Sequence, residues 1–355
     1  MRRLLAWFFA ALAVLALAET LISLIHSDQW WIQVLNFPRL LTLIVIGVIA
    51  LGCAVFARCR RWGAVLVPVL VIAAALQFWR IYPYVPFAPA EVIEASALPG
   101  VQAGSCFKAL GLNVFQHNRQ YDRTIRLIDR ERPDVLLLME TDDRWVKALA
   151  PVLKRYPHRL LRPIDNTYGL VFASKLPVRS ARTENITDQN TPTVYAELTT
   201  RDGQRFDYIG LHPRPPLPGQ DTDLRDRKIE HAALRIAGHR LPAMAMGDFN
   251  DVAWSRTTRV FKQVGGYLDP RIGRGTYPSF PAKYAPIGWP LDQMFVSRDF
   301  AIRSLNILED VGADHRPLMV VLCLVPKRAR SANAVPDTRD AEARQAARTM
   351  TRTEK

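Results

Sequence analysis

Asp, Glu, Asn and His recur at the ends of short apolar runs through the later part of this 355-residue sequence. Asn113 closes FKALGLN, Glu140 closes DVLLLME and His212 follows DYIGL; Asp248 and Asn250 follow AMAMG, Asp292 opens DQMFV, and Asp314 and His315 precede LMVVLCL. Singly, each is ordinary. A strand-end Glu is usually solvated, a lone His is usually structural, and GDFND is turn and helix-cap chemistry. Together, restricted to four residue types, they are hard to ascribe to chance. Asp, Glu and Asn are hard oxygen donors with no thiolate among them, which suits Mg²⁺, Mn²⁺ or Ca²⁺ rather than a structural zinc. The histidines add proton-transfer groups that titrate near neutrality. A divalent ion beside carboxylate and imidazole is equipment for hydrolysing a phosphate ester: the ion neutralises a nonbridging oxygen, a carboxylate aligns water, and imidazole stabilises developing charge. The sequence has no Gly-rich phosphate loop of the NTPase type, no Ser elbow and no HExxH.

Strands must hold these residues. The segment 191–216 reads as a hairpin with its turn at Asp202 and Gly203, delivering His212. Helical patterns at 122–132, stopped by Pro133, at 221–238 and at 254–264 alternate with the strands, an α/β arrangement with substantial sheet. Within GDFND, Gly247 would allow a close backbone passage, Phe249 would anchor the turn in the core, and Asp251 is read as the cap of the helix at 254–264.

Before this domain come three apolar segments, 4–25, 40–56 and 63–79, near the roughly 20 residues that cross a bilayer core. Trp30, Trp31, Trp62, Trp79, Tyr82 and Tyr84 flank them, as amphipathic rings do at a membrane interface. Arg2 and Arg3 precede the first segment and Arg58, Arg60 and Arg61 follow the second, so the amino terminus and second connection are read as inside and the large domain as outside, periplasmic or extracellular. If the first segment were a signal peptide cleaved near Ala16-Leu17-Ala18, the domain's side would be the same. Residues 1–81 are thus a membrane region and 82–103, containing YPYVPFAPA, a Pro-rich spacer; 327–355 is a basic tail expected to be disordered. That tail explains part of the net charge of +14, which therefore does not argue for DNA. Of the four cysteines, Cys106 and Cys323 lie in candidate strands at the two ends of the domain; free buried thiols are the favoured reading, although an oxidising compartment would permit them to pair.

LNV, LLLMET, GLHPRPP, GDFND, LDQMFVS and ADHRPL, in that order, resemble the motif series of the endonuclease/exonuclease/phosphatase superfamily, the DNase I-like proteins, over residues 104–326. The resemblance implies a four-layer αββα sandwich of two mixed β-sheets, here preceded by transmembrane helices. It implies Mg²⁺ or Mn²⁺ held by Glu140, with Asn113 beside it and Asp314 completing the environment. Asp248 would align or deprotonate water, Asn250 would contact the scissile phosphate, His315 oriented by Asp292 would hydrogen-bond it, and His212 would stabilise the same charge. Gln293 stands where many relatives carry an aromatic, His or Arg. The expected function is a membrane-anchored, metal-dependent phosphodiesterase or phosphomonoesterase acting on a lipid head group, nucleic acid or small phosphorylated molecule, with no obligatory protein partner. An extracytoplasmic nuclease and a catalytically idle scaffold that retains the fold are the alternatives.

Overall fold

A computed structural model describes residues 1–56, 61–237 and 241–336. Leucine-, valine- and alanine-rich sequence with few breakers forms three helices, α1 (Arg2–Ile22), α3 (Arg39–Phe56) and α4 (Arg61–Ile81), each long and apolar enough to cross a membrane. They pack on one another through Ala13, Ile46, Ile49, Leu70 and Ala73. The short α2 (Trp30–Val34) lies in the connection between the first two. Arg58 and Arg60, on which the orientation argument partly rests, lie outside the described residues.

Two mixed sheets follow. The first holds β1 (Cys106–Asn113), β2 (Val135–Met139), β3 (His158–Arg162), β4 (Leu170–Ser174), β10 (Phe300–Ile307) and β11 (Leu318–Leu324) in the order β10-β11-β1-β2-β4-β3. The second runs in sequence order: β5 (Val178–Asn185), β6 (Pro192–Thr199), β7 (Arg205–Leu211), β8 (Ala243–Asp248) and β9 (Asp292–Val296). β1 and β2 are parallel, as are β7 and β8, while the other pairings are antiparallel.

Alternation along the strands decides the layers. Phe107, Leu137 and Met139 of the first sheet meet Tyr208, Met244, Met246 and Met294 of the second in a core between the sheets. The intervening residues Leu110, Leu112, Leu136 and Leu138 face outward and are covered by α5 (Tyr121–Glu131) and α6 (Asp143–Leu153). On the other side Ile209, Ala245 and Phe295 are covered by α7 (Asp223–Ala237) and α8 (Arg256–Gly265). The result is the expected α+β sandwich of four layers.

Two boundaries differ from the sequence reading. Residues 82–103 are not a free spacer: the Tyr84 hydroxyl donates to Ala253 O at 2.7 Å, Glu91 pairs with Lys262 at 2.7 Å, and Val92 enters the core between the sheets. Tyr84 and Val92 are anchors in a stretch where the prolines are the more conspicuous signal. The tail expected to be disordered begins with a helix, α9 (Pro326–Ala332), whose Arg330 pairs with Asp299 at 2.5 Å; Asn333 then donates to Phe300 O at 2.8 Å. Residues 337–355 lie outside the described residues.

The cysteines also differ from the favoured reading. Cys106 and Cys323 are directly opposed in the β1–β11 pairing and form a disulfide across 217 residues of chain. Register, which sequence does not reveal, brings them together.

Candidate active site

The inward-facing positions of the core continue, at one end of the sandwich, into polar residues. Phe107 and Ala109 line the intersheet core, and Asn113 stands further along the same face of the same strand. Met244 and Met246 lead in the same way to Asp248, and Met294 leads back to Asp292. Asp248 and Asp292 are cross-strand partners in the β8–β9 pairing. His212 follows β7, whose Leu211 pairs with Gly247. Period-two geometry thus gathers side chains from both sheets at the mouth of the cleft between them.

Glu140 arrives differently. It directly follows Met139 and would face the outer helices if the strand continued, but its φ of 62° turns the chain. Its Oε1 accepts from Asn113 Nδ2 at 2.8 Å and its Oε2 from the Gln116 amide at 3.1 Å. A non-glycine residue held in the left-handed region is strained, and such strain is common at active sites.

Asp248 is the centre of the cluster. Its Oδ2 accepts from Asn113 Nδ2 at 3.1 Å and lies 3.5 Å from His315 Nε2 and 3.7 Å from His212 Nε2. Its Oδ1 accepts the Asn250 amide at 2.8 Å, and Asn250 Nδ2 in turn donates to Pro213 O at 2.9 Å. His315 is fixed from behind by Asp292 Oδ2, 2.7 Å from its Nδ1. Asp314 is half-buried; its backbone carbonyl accepts from Ala282 N at 2.7 Å, while its Oδ1 has no hydrogen-bond partner.

The two imidazoles are driven apart. Burial alone would lower both, but His315 sits against Asp248 and Asp292 and is pushed up to about 10, so it is an imidazolium at neutral pH. His212 is pushed down to about 4 by burial, which the single nearby carboxylate of Asp248 does not offset, so it is neutral. Burial raises Glu140 to about 6, against the hydrogen bonds from Asn113 and Gln116, and raises Asp314 as well. Paired groups with opposed shifts are what acid–base chemistry at one site requires.

The GDFND stretch is explained residue by residue. Gly247 has φ 149°, and a Cβ there would lie 1.9 Å from Leu211 O, so the approach of β7 to β8 excludes any side chain. Phe249 faces the outer layer against Phe261 and Phe295. Asp251 is not the helix cap: α8 is capped by Ser255, which accepts from the Thr258 amide at 3.0 Å. Asp251 is buried, accepts the Val252 amide at 2.8 Å and stands 3.3 Å from the Arg225 guanidinium. Arg225 also donates to Asn250 O at 3.0 Å, so this buried pair braces the loop that carries Asn250. Gln293 is buried behind the site, donating to Asp251 O at 2.6 Å and accepting from Arg271 at 2.9 Å.

All eight predicted site residues, Asn113, Glu140, His212, Asp248, Asn250, Asp292, Asp314 and His315, lie at this end of the sandwich. Sequence reasoning missed several neighbours. Gln116 holds Glu140 and the Asp165–Thr167 turn. The Tyr168 and Phe280 rings lie 5.3 Å from His212 and 4.9 Å from His315. Lys228 reaches the His212 carbonyl at 3.4 Å. These come from loops or the inner face of a helix and had no spacing signal of their own.

Among the described residues, no three His, Cys, Asp or Glu side chains converge into a ready-made metal cage. The donor set nonetheless fits a hard divalent cation: Asp314 Oδ1 is buried without a partner among the described residues, and the Glu140 carboxyl is raised by burial and by the neighbouring carboxylates of Asp314 and Asp248. Mg²⁺ is commonly held by one or two carboxylates together with waters and substrate oxygens, not by a full protein cage.

The fold and this constellation define a DNase I-like phosphoesterase architecture. The family model of the Endonuclease/Exonuclease/phosphatase family matches residues 111–315, more than half of the chain, and the protein belongs to that family. Among solved structures, a humanized D. rerio TDP2 superposes with a TM-score of 0.52 at 15% identity, covering 61% of this chain and 99% of that one. A Bacteroides thetaiotaomicron mannosyl-6-phosphatase gives 0.52 at 16% identity, covering 61% of this chain and 100% of its own. D. rerio TDP2 complexed with a single-strand DNA product gives 0.51 at 15%, with 61% and 99% covered. At such identities the likeness is one of fold. No curated protein matches the chain.

Proposed function

We propose that this protein is a membrane-anchored, divalent-metal-dependent phosphoesterase that hydrolyses a phosphodiester or phosphomonoester by attack of water. The observation that carries the reading is the convergence of His212, His315 and Asn113 on a single carboxylate oxygen of Asp248, with His315 held as a cation by Asp292. Asp248 would align the water and take its proton. The His315 imidazolium would hydrogen-bond a nonbridging phosphate oxygen, a charge-assisted contact that strengthens as negative charge accumulates. Neutral His212 would donate to the same phosphoryl group from the other side without repelling that cation, and the Asn250 amide would orient it.

Glu140, Asn113 and Asp314 would hold Mg²⁺ or Mn²⁺. When bound, the ion supplies positive charge against a phosphate oxygen. Asn113 would then serve as a positioning residue too, because its one amide nitrogen ties the metal-side Glu140 to Asp248.

The three apolar helices are proposed to cross the cell (inner) membrane, with the catalytic domain on the periplasmic or extracellular side. Arg2 and Arg3 at the start of α1 support this orientation. The Cys106–Cys323 disulfide fits an oxidising compartment. The connection between α1 and α3 also packs on the domain, which requires both to lie on one side: Trp254 Nε1 donates to Asn36 O at 2.8 Å.

Turnover of a generic phosphodiester dye by the purified protein, with and without EDTA, tests the reading. Activity abolished by EDTA and restored by Mg²⁺ or Mn²⁺ is expected, and full activity in EDTA would refute it. A screen against DNA, RNA, phospholipids and sugar phosphates then separates nuclease from lipid or small-molecule esterase. No turnover of any of them would leave the idle-scaffold reading standing.

A further inference from the structure

Besides Leu161 on edge strand β3, and Phe87 and Val335 on the flanking segments, the large exposed apolar side chains of the catalytic domain fall on two loops. Leu217 is 50% exposed, Tyr284 62% and Ile287 56%, and all three stand on loops that leave the active site. The first loop, 213–222, begins beside His212, and its Pro213 carbonyl accepts from Asn250. The second, 277–290, closes on itself through the Phe280–Trp289 bridge, and its Phe280 ring rests on His315. Tyr284 and Ile287 are at the tip of that bridge.

Both loops are tied to the same third element, the connection between the first two apolar helices. Trp30 N donates to Asp221 Oδ1 at 3.1 Å and Thr222 N to Asp28 O at 2.7 Å, fastening the first loop. The Phe37 ring meets Trp289 at 5.5 Å, fastening the second. Trp31, between them in α2, is itself 45% exposed. A connection only 16 residues long between two spans, from Ser23 to Pro38, has to lie at the membrane surface. Whatever is bound to both its flanks is held there as well.

We propose that Leu217, Tyr284 and Ile287, with Trp31, form an apolar rim that seats the mouth of the active site on the bilayer the three helices cross. The occupant is the lipid surface itself. Aromatic and aliphatic side chains at the edge of a membrane-anchored domain bury in the headgroup region, where Trp and Tyr are favoured. Exposed apolar residues grouped this way around a polar cleft mark an interaction face. The consequence for the site is access: it opens at headgroup level, towards phosphates lying in or on the membrane. The inference rests on the proposed membrane anchoring and phosphoesterase reading, and its test does not depend on turnover.

Leu217→Cys and Ile287→Cys, placed singly in full-length protein lacking Cys53 and Cys59 but retaining the disulfide, are labelled with an environment-sensitive fluorophore. The labelled protein is reconstituted into phosphatidylethanolamine–phosphatidylglycerol vesicles. Arg205→Cys, at the opposite end of the strand that delivers His212, is the aqueous control. Labels at 217 and 287 should emit at shorter wavelength than the label at 205, be quenched by nitroxide-bearing lipid, and be severalfold less sensitive to iodide in solution. If both behave as the label at 205 does, in variants whose thermal unfolding stays cooperative, the rim is in water and the proposal fails. Hydrolysis of a soluble diester by the same vesicles reports the catalytic reading separately, so either can fail alone.

Discussion

Lys228 is almost completely buried, with its ammonium on the carbonyls of Thr191 and His212. Burial lowers it to about 7, with Asp188 opposing that shift and Arg214 adding to it. The unfolded chain would hold that proton to about pH 10.4. Between about pH 7 and 10 the unfolded state therefore binds more protons than the folded one, and stability rises with pH. The stability is fully present above the unfolded value and is lost as pH falls through the folded one. Below about pH 7 both states are protonated and the buried ammonium costs roughly 5 kcal/mol. Lys228→Met keeps the length of the side chain and removes the titration, while leaving two carbonyls short of a donor at every pH. The stability of wild type minus that of Lys228→Met should therefore grow by about 2–3 kcal/mol from pH 7 to pH 9, at about 1.4 kcal/mol per pH unit. Urea unfolding of both proteins in detergent, followed by Trp fluorescence, measures the difference, and all other titrations cancel in it. A difference that is constant with pH would show that Lys228 is charged throughout and that burial does not govern it.

Three further outcomes are expected. Glu140→Gln removes the metal-side charge and one of two acceptors while keeping the volume, so steady-state turnover should fall sharply and recover in part at high Mg²⁺ or Mn²⁺; wild-type activity at low metal would refute the role. Replacing Cys106 and Cys323 together by Ser opens a closed loop of 217 residues and should cost about 2–5 kcal/mol, seen as a melting temperature lower by about 5–15 °C. An unchanged melting curve under non-reducing conditions would show that β1–β11 pairing suffices alone. Alkaline phosphatase fused after Pro336, beyond α9, should be active if the domain is outside, and an inactive fusion beside a bright cytosolic reporter would reverse the orientation.

How much of this is legible in the sequence follows from range of interaction. Asn113, Asp248 and Asp292 can be read because each ends an apolar run whose period-two pattern is local, and the pattern itself aims the side chain. Glu140 is found by its position in such a run, although its backbone leaves the strand geometry, which no propensity indicates. Asp251 reads as a cap but is not one, because its partner Arg225 lies on another element and only packing brings them within 3.3 Å. The stretch at 82–103 reads as a spacer for the same reason: Tyr84 and Val92 are anchors only in the presence of the domain surface they meet. The apolar helices announce themselves, but their connection's grip on both active-site loops depends on contacts such as Trp30 with Asp221, which sequence spacing does not encode.

The most direct test of the central claim is Asp248→Asn, measured for turnover and for thermal unfolding on one preparation. Asn250 N can still donate to the remaining side-chain oxygen and Asp292 still faces His315, but Asn113 Nδ2 loses an acceptor and the imidazolium loses one of its two anionic neighbours, so the fold should persist with some loss of stability. The aligned base is lost. The account predicts turnover of the phosphodiester dye reduced to background with a cooperative unfolding transition retained at a modestly lower melting temperature. An active Asp248→Asn protein, or one that no longer folds, would contradict it and leave GDFND a structural turn.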